Sequence, residues 1–336
     1  MKRANHLMNS ICDLDNLYLA YWKSKKGKTL KKDFLAYSSN LDENLYKLQN
    51  ELETANVTVG DYSYFTIHDP KERIICAASF AERVLHHALM NVCHSVFEKH
   101  FIYHTYATRP NKGTHKAIAY AKKQALKYKF YAKLDVRKYF DSIDHTILIK
   151  ALTRLFKENE LLYIFHQIIN SYQTTENKGL PIGNLTSQYF ANYYLSVADH
   201  FVLEILKLPY VRYMDDMLFF SNDKFDLIEK IKEFELFLYI KLNLDLKIKS
   251  INFIKYGFPF LGFRIFPQKI KLGTVAKRRF RKKLFLFYSN LLKLKWNSLE
   301  YQKHVLPLLS FVKHADTFGL RSNYIFSKEK GVDCKL

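Results

Sequence analysis

The tetrapeptide Tyr213-Met214-Asp215-Asp216 constrains this chain more than any other feature. Two adjacent acids sit between apolar, β-prone runs, with Tyr210 and Val211 before them and Met217 to Phe220 after. The pattern predicts a strand, a tight turn and a second strand, with two carboxylates at the tip. Side chains alternate along a strand, so neighbouring acids point different ways. One can hold a metal while the other braces the site. An acidic turn standing in solvent is the plainer alternative, because Asp is common in turns.

A second acid changes that balance. Asp135 ends the run Phe130-Tyr131-Ala132-Lys133-Leu134, where Phe130, Ala132 and Leu134 alternate with polar or amphipathic residues. This predicts a half-buried strand with Asp135 at its end. Asp144 is placed to cap the following helix, whose apolar stripe includes Ile147, Leu148, Leu152, Leu155 and Phe156. If strand ends bring Asp135 beside Asp215, the pair offers hard oxygen ligands suited to Mg²⁺. Two such ions can activate a 3′-hydroxyl and steady a leaving pyrophosphate.

Asp135 followed by Phe140, with Tyr213-Met214-Asp215-Asp216 downstream, resembles the palm motifs of reverse transcriptases. The resemblance spans roughly Phe65 to Ile265. It implies an α+β fold: a right-hand polymerase with fingers, an antiparallel palm sheet backed by helices, and a helical thumb. It implies Asp135, Asp215 and Asp216 as the catalytic acids and metal ligands, with the Val136 carbonyl also facing a metal. The implied cofactor is a pair of Mg²⁺ ions, with Mn²⁺ as a substitute. Phe140 matches the bulky residue that blocks a nucleotide 2′-hydroxyl, and it also reads as a core aromatic.

Leu180-Pro181-Ile182-Gly183-Asn184-Leu185-Thr186-Ser187-Gln188 narrows the resemblance. Most reverse transcriptases carry Gln before that Gly and Pro after that Ser. The Ile-Gly-x-x-x-Ser-Gln form is similar to reverse transcriptases of diversity-generating retroelements, which copy a template RNA with frequent errors opposite adenines. Ile182, Gly183 and Gln188 would then border the incoming dNTP. Ile182 offers shape where Gln would offer a hydrogen bond, which should relax geometric selection. Simple packing of Ile182 is the alternative. A retron, intron or defence-type enzyme without a mutagenic role stays open, as does a non-catalytic RNA-binding protein on a polymerase fold.

Upstream, Tyr62 to Ile67 and Arg73 to Ala77 flank a Pro-containing turn and predict a hairpin. Lys71 and Arg73 match the family's triphosphate-gripping finger residues, an ordinary solvated turn being the alternative. Ser79-Phe80-Ala81-Glu82 is a capping box opening a helix through about His100. His86, His87 and His94 on that helix read as packing or surface residues before metal ligands. Arg109 contacts template or finger backbone by resemblance, or forms a structural salt bridge. Thr114 is expected to cap the next helix.

Phe225, Ile228, Ile231, Phe234 and Leu238 predict an amphipathic helix behind the acidic hairpin. Lys249, with Lys247 as competitor, matches the family's general acid near the departing pyrophosphate, a solvated basic strand being the alternative for either lysine. Phe260-Leu261-Gly262-Phe263 resembles the primer grip, with Leu261 and Gly262 at the primer strand. Lys277, Arg278, Arg279 and Arg281 surround Phe280 on a thumb-like helix that could track duplex phosphates. A membrane-surface helix and a solvated charged face are the alternatives.

Two apolar stripes precede all this, Ile11, Leu14, Leu17, Tyr18 and Tyr21, then Leu41, Leu45, Leu48 and Leu52. They predict two amphipathic helices. The segments read as an N-terminal finger extension (1–60), fingers (61–128), palm (129–268, with finger–palm helices inside 142–200), and thumb plus basic tail (269–336). The 336 residues carry a net charge of +21, which points to a polyanionic partner and salt-sensitive binding. Cys12, Cys76, Cys93 and Cys334 show no paired spacing and suggest reduced thiols in a cytoplasmic protein. No apolar run is long enough to span a bilayer, so no membrane partner is expected. The partners implied by resemblance are a structured template RNA, an RNA/DNA duplex, dNTPs and a small basic accessory variability protein.

Overall fold

The computed structural model describes residues 2–68 and 72–325, without the side chains of 248, 249 and 323–325. Helices α1 (Met8–Cys12), α2 (Leu14–Ser24), α3 (Lys32–Ser39) and α4 (Leu41–Glu53) open the chain. The first stripe divides into α1 and α2, the second forms α4, and α3 is a helix between the stripes that neither predicted. Asp13 breaks the first stripe because its carboxylate accepts from the Asp15 N–H at 2.8 Å, capping α2. Phe34 and Tyr37 bury α3, with the Phe34 and Phe80 rings 5.2 Å apart.

Strands β1 (Tyr62–Ile67) and β2 (Arg73–Ala78) form the expected hairpin, antiparallel from Tyr62↔Ala78 to Ile67↔Arg73. Helix α5 (Phe80–His100) follows, and half of the expected capping box forms: Ser79 Oγ accepts from the Glu82 N–H, while the Ser79 N–H donates to Asp61 O and the Glu82 carboxylate accepts from the Gly60 N–H instead. Helix α6 (Thr114–Ala125) differs from expectation. Gly113, at φ +98°, is its N-cap, and Thr114 is already the first helical residue with no capping bond. A left-handed approach to the helix suits only glycine, so the cap falls one residue earlier.

Strand β3 (Phe130–Val136) leads into α7 (Tyr139–Ser142), α8 (His145–Leu152), α9 (Asn159–Asn170) and α10 (Leu185–Phe201), which ends in a π-helical turn, Val202–Leu206. Asp144 caps α8 as predicted, accepting from the Ile147 N–H at 3.1 Å. Next come β4 (Tyr210–Tyr213), β5 (Asp216–Ser221), α11 (Lys224–Leu242), β6 (Leu246–Phe253), β7 (Phe258–Phe260), β8 (Phe263–Ile265) and β9 (Ile270–Leu272). Helices α12 (Thr274–Leu292), α13 (Ser298–Lys313) and α14 (Phe318–Ile325) close the described chain. In α11 the buried face begins at Leu227, whereas Phe225 is 80% exposed. Phe225 sits in the first turn, where Asp223 accepts its N–H at 2.7 Å, so the apolar stripe begins two residues later.

Two compact units emerge, each assembled from three stretches of sequence. The first comprises 1–109, 135–207 and 231–247. Its core joins α5 to α10, with Phe97 against Phe156 at 5.4 Å and Tyr193 at 5.6 Å. Buried tyrosines bind their hydroxyls to carbonyls, Tyr193 to Ala151 at 2.8 Å and Tyr194 to Leu242 at 2.6 Å.

The second unit comprises 110–134, 208–230 and 248–336. Its main sheet has the order β4-β5-β3-β6, and β3 pairs antiparallel with β5 from Phe130↔Ser221 to Leu134↔Met217. One-sided burial was expected for β3. Instead Tyr131, Ala132, Lys133 and Leu134 are all buried, because β3 is an inner strand and Phe258 lies 5.1 Å from the Tyr131 ring. A smaller sheet, β7-β8-β9, carries the chain into α12 and α13. There the Asp316 N–H donates to Ile270 O at 2.7 Å, and Phe311 meets Phe263 at 5.1 Å.

Candidate active site

Strands β4 and β5 hold the two acids as the sequence predicts. Tyr213 pairs with Asp216, leaving Met214 and Asp215 as a two-residue turn. Met214 adopts φ +52°, since a right-twisted hairpin needs a positive φ in such a turn. A non-glycine residue there costs roughly 1 kcal/mol. Arg212, fully buried, helps to offset it by donating from Nη1 to Met214 O at 3.2 Å.

Asp216 is held by a residue that sequence reasoning passed over. The Lys133 ammonium lies 2.6 Å from Asp216 Oδ1 and 2.9 Å from Oδ2, with side chains 8% and 22% exposed. The Phe260 ring centroid is 5.6 Å from the same ammonium. Lys133 and Arg212 could have been singled out. Each interrupts an apolar strand run, and a charge in such a run needs a partner.

The first unit collects most residues assigned to the nucleotide. Asp135 is half-buried near the end of β3, followed by buried Val136. Phe140 O accepts from the Leu180 N–H at 2.9 Å, joining the phenylalanine segment to the Ile182 segment. Ile182 O accepts from the Cys76 N–H at 2.9 Å, which brings β2, and with it exposed Arg73, onto the same segment. Gly183 sits at φ +134°, and a Cβ there would lie 2.8 Å from Cys76 O. That close approach makes a side chain untenable. Gln188 Oε1 accepts from Thr108 Oγ1 at 3.3 Å. It lines a small cavity of about 170 Å³ with Arg83, His86, His87, Gly183, Asn184 and Leu185.

Arg109 forms the salt bridge that the sequence offered as one of its two readings. Its guanidinium is 5% exposed and meets Glu98 Oε1 at 2.7 Å. Nη1 also donates to Thr105 O at 2.9 Å and Thr105 Oγ1 at 2.7 Å. In the second unit, Leu261 and Gly262 take φ +49° and +88°, forming the turn between β7 and β8. Lys277, Arg278 and Arg281 are exposed on α12 and Arg279 is partly so, while Phe280 and Leu284 are buried. Lys71 and Cys334 lie outside the described residues, as does the Lys249 side chain.

The histidines of α5 serve packing. His86 and Glu82 are both 1% exposed and 3.4 Å apart, and His94 Nδ1 meets the Tyr189 hydroxyl at 2.9 Å. Burial, reinforced by neighbouring Arg83 and Lys23, pushes His87 down to about 4. Burial pushes the Cys12 and Cys76 thiols up to about 11 and raises Cys93 as well, which leaves none of them a nucleophile. Among the described residues there is no cluster of three or more His, Cys, Asp or Glu placed to hold a metal ion. No described helix is long and apolar enough to cross a membrane.

The two-acid hairpin on an antiparallel, helix-backed sheet defines a class: α+β, right-hand polymerase. The model of the "Reverse transcriptase (RNA-dependent DNA polymerase)" family matches residues 68–265, more than half of the chain, and this chain belongs to that family. It is 23% identical over 216 residues to the "Putative COX1/OXI3 intron 1 protein" of Saccharomyces cerevisiae, covering 61% of this chain and 26% of that protein. Over 149 residues it is 26% identical to "Group II intron-encoded protein LtrA" of Lactococcus lactis subsp. cremoris, covering 42% of this chain and 24% of that one. The chain thus spans about a quarter of the length of these intron proteins. "Protein YkfC" of Escherichia coli (strain K12) is 22% identical over 261 residues, covering 63% of this chain and 68% of that protein.

Proposed function

We propose that this chain is an RNA-directed DNA polymerase that extends a primer 3′-hydroxyl with dNTPs on an RNA template. The observation that carries this reading is the register of β3 on β5. Leu134 stands opposite Met217, Asp135 follows Leu134, and Asp216 precedes Met217. Asp135, Asp215 and Asp216 are the proposed catalytic acids, with fingers, palm and thumb divided at about 128 and 268 in the chain.

The donor set is chemically suited to a divalent ion, since carboxylates and a strand-end carbonyl are hard oxygen ligands. Asp135, the Val136 carbonyl and Asp215 would hold it, with Asp216 beside them. Two bound Mg²⁺ ions, or Mn²⁺ in their place, would sharpen the 3′-hydroxyl as nucleophile and steady the leaving pyrophosphate. The protein's own residues orient the substrate. Phe140 would press on the sugar where a 2′-hydroxyl would project. Ile182, Gly183 and Gln188 would shape the nascent pair. Arg73 and Lys71 would grip the triphosphate, Arg73 through paired donors. Lys249 would protonate the departing pyrophosphate. Leu261 and Gly262 would steady the primer strand, and the α12 cations Lys277, Arg278, Arg279 and Arg281 would follow duplex phosphates. A structured template RNA and a cytoplasmic setting complete the reading.

Within this class, Ile182 and Gln188 support a diversity-generating retroelement enzyme, error-prone at template adenines and working with a small basic variability protein. The matched intron proteins favour an intron-type enzyme without that role. One experiment separates the readings: cDNA synthesis on RNA encoded beside the gene, with and without the neighbouring small protein, followed by sequencing. Errors concentrated at adenines, and reduced by Ile182→Gln, support the retroelement reading. A flat error spectrum favours the intron type. Absence of extension on every RNA template with Mg²⁺ would remove the polymerase proposal itself.

A further inference from the structure

We propose that Lys133 is a positioning residue that locks the carboxylate of Asp216, so that Asp216 braces the hairpin while Asp135 and Asp215 carry the metal-facing role. This rests on the polymerase reading above for its consequence in catalysis, but the lock itself stands on geometry within the second unit.

Lys133 pairs across the strands with Leu218, and Asp216 lies two residues along β5 on that same face. Such diagonal neighbours lie about 7–8 Å apart at the backbone, a span that a lysine stem bridges. Both carboxylate oxygens meet the ammonium, at 2.6 and 2.9 Å. A buried ammonium is costly without an anion, so releasing Asp216 would strand Lys133 in an apolar strand. The Phe260 ring offers it only a weak alternative. Arg212 meanwhile holds the Met214 carbonyl of the same turn. Two buried cations thus fix a two-residue turn, one through its backbone and one through the acid that closes it.

A carboxylate engaged at both oxygens by an ammonium is a poorer ligand for a divalent ion than a solvated one. Lys133 therefore sets how far Asp216 can contribute to metal binding. It also removes one negative charge from an acidic tip, which keeps the hairpin folded before any ion arrives.

The test uses the full chain and the variants Lys133→Met, Lys133→Arg, Asp216→Asn and the double Lys133→Met/Asp216→Asn. In chelator, Lys133→Met should lower the thermal midpoint by roughly 5 °C, because it leaves a half-buried carboxylate without its cation. Added Mg²⁺ should raise that variant's midpoint more than the wild type's. Mn²⁺, titrated and followed by electron paramagnetic resonance, should bind it several-fold more tightly. In single-nucleotide extension, kcat should fall about tenfold or more with the dNTP KM nearly unchanged, since misplacing a catalytic turn costs rate rather than binding. Lys133→Arg should restore most of each readout. The double variant should be no less stable than Lys133→Met alone, because the two single changes break one interaction.

A fall in midpoint with wild-type Mn²⁺ affinity would make Lys133 a packing residue and overturn the lock, as would additive single effects. Should Lys133→Met fail to fold, Asp216→Asn and Lys133→Arg still complete the comparison. If the wild type extends no primer, the polymerase reading fails on its own, while the midpoints and Mn²⁺ titration continue to judge the lock.

Discussion

Two ion pairs, one in each unit, look alike in sequence and differ in kind. Arg109 and Glu98 lie eleven residues apart in the first unit, and the guanidinium is also bonded to carbonyls of Ile102 and Thr105. All its nitrogens serve to hold the Phe101–Arg109 segment against α5. Lys133 and Asp216 belong to neighbouring strands of the second unit, and the acid follows Asp215 directly at the hairpin turn. A basic residue earns a functional reading less from its own character than from what its partner would otherwise do. Arg109 silences a structural acid. Lys133 restrains an acid at the tip of the hairpin, the acid to which the polymerase proposal gives a second role.

The largest expected effect breaks the hairpin side of this contrast. Asp215→Asn keeps the side chain's size and removes its charge. Primer extension with Mg²⁺ should fall by about 10³-fold or more, as expected when a charge-stabilising group leaves a catalytic centre. RNA affinity, measured by filter binding, should stay within about twofold, because phosphate contacts dominate it. Wild-type extension by this variant would refute the assignment of the acids.

Next in size is the other pair. Arg109→Ala should destabilise the protein by about 3 kcal/mol, through a stranded Glu98 and unpaired carbonyls. Glu98 is 31% exposed, so Glu98→Ala should cost less, about 2 kcal/mol by the same reasoning. Denaturant midpoints measure both. Neither variant should change the Mg²⁺ concentration needed for half-maximal extension, which is where this pair should part from Lys133. A shifted Mg²⁺ requirement in Arg109→Ala would erase the distinction.

Elements whose signals are local were legible in the sequence. The acidic hairpin follows from β-prone runs around two acids, and Ser79-Glu82 caps α5 through a bond spanning three residues. The Asp144 cap is local too. Most of what escaped depends on the fold around it, Asp13 being the exception, a cap as local as Asp144 that the apolar stripe concealed. Asp13 divided one apolar stripe into two helices. Gly113 displaced Thr114 as a cap because the chain arrives left-handed. Alternation in β3 suggested one buried face, yet an inner strand buries both, and this hid Lys133 among apolar neighbours. The neighbourhood of Phe140, Ile182 and β2 depends on backbone bonds between segments far apart in sequence, through Leu180 and Cys76. Residue type alone cannot announce such bonds.

The smallest predicted effect concerns acid sensitivity, and it belongs to the first unit. Burial pushes His87 down to about 4, and it does the same to His100, helped by nearby His200. In the unfolded chain each should titrate near its ordinary value of about 6.5. Between these values the unfolded state binds more protons than the folded one. Stability is therefore fully present above pH 6.5 and declines as the pH falls towards 4. Carboxylates add their own slope at the acid end, so the useful quantity is a difference between proteins. His100 Nε2 is buried without a hydrogen bond, and its ring packs 5.1 Å from Tyr193. His100→Asn removes the titration while keeping a polar side chain. Its thermal midpoint should fall by a few degrees less than the wild type's between pH 6.5 and 4.5. Parallel curves would show that this histidine gains its proton equally in both states, and acid sensitivity would then have to come from His87 and the carboxylates.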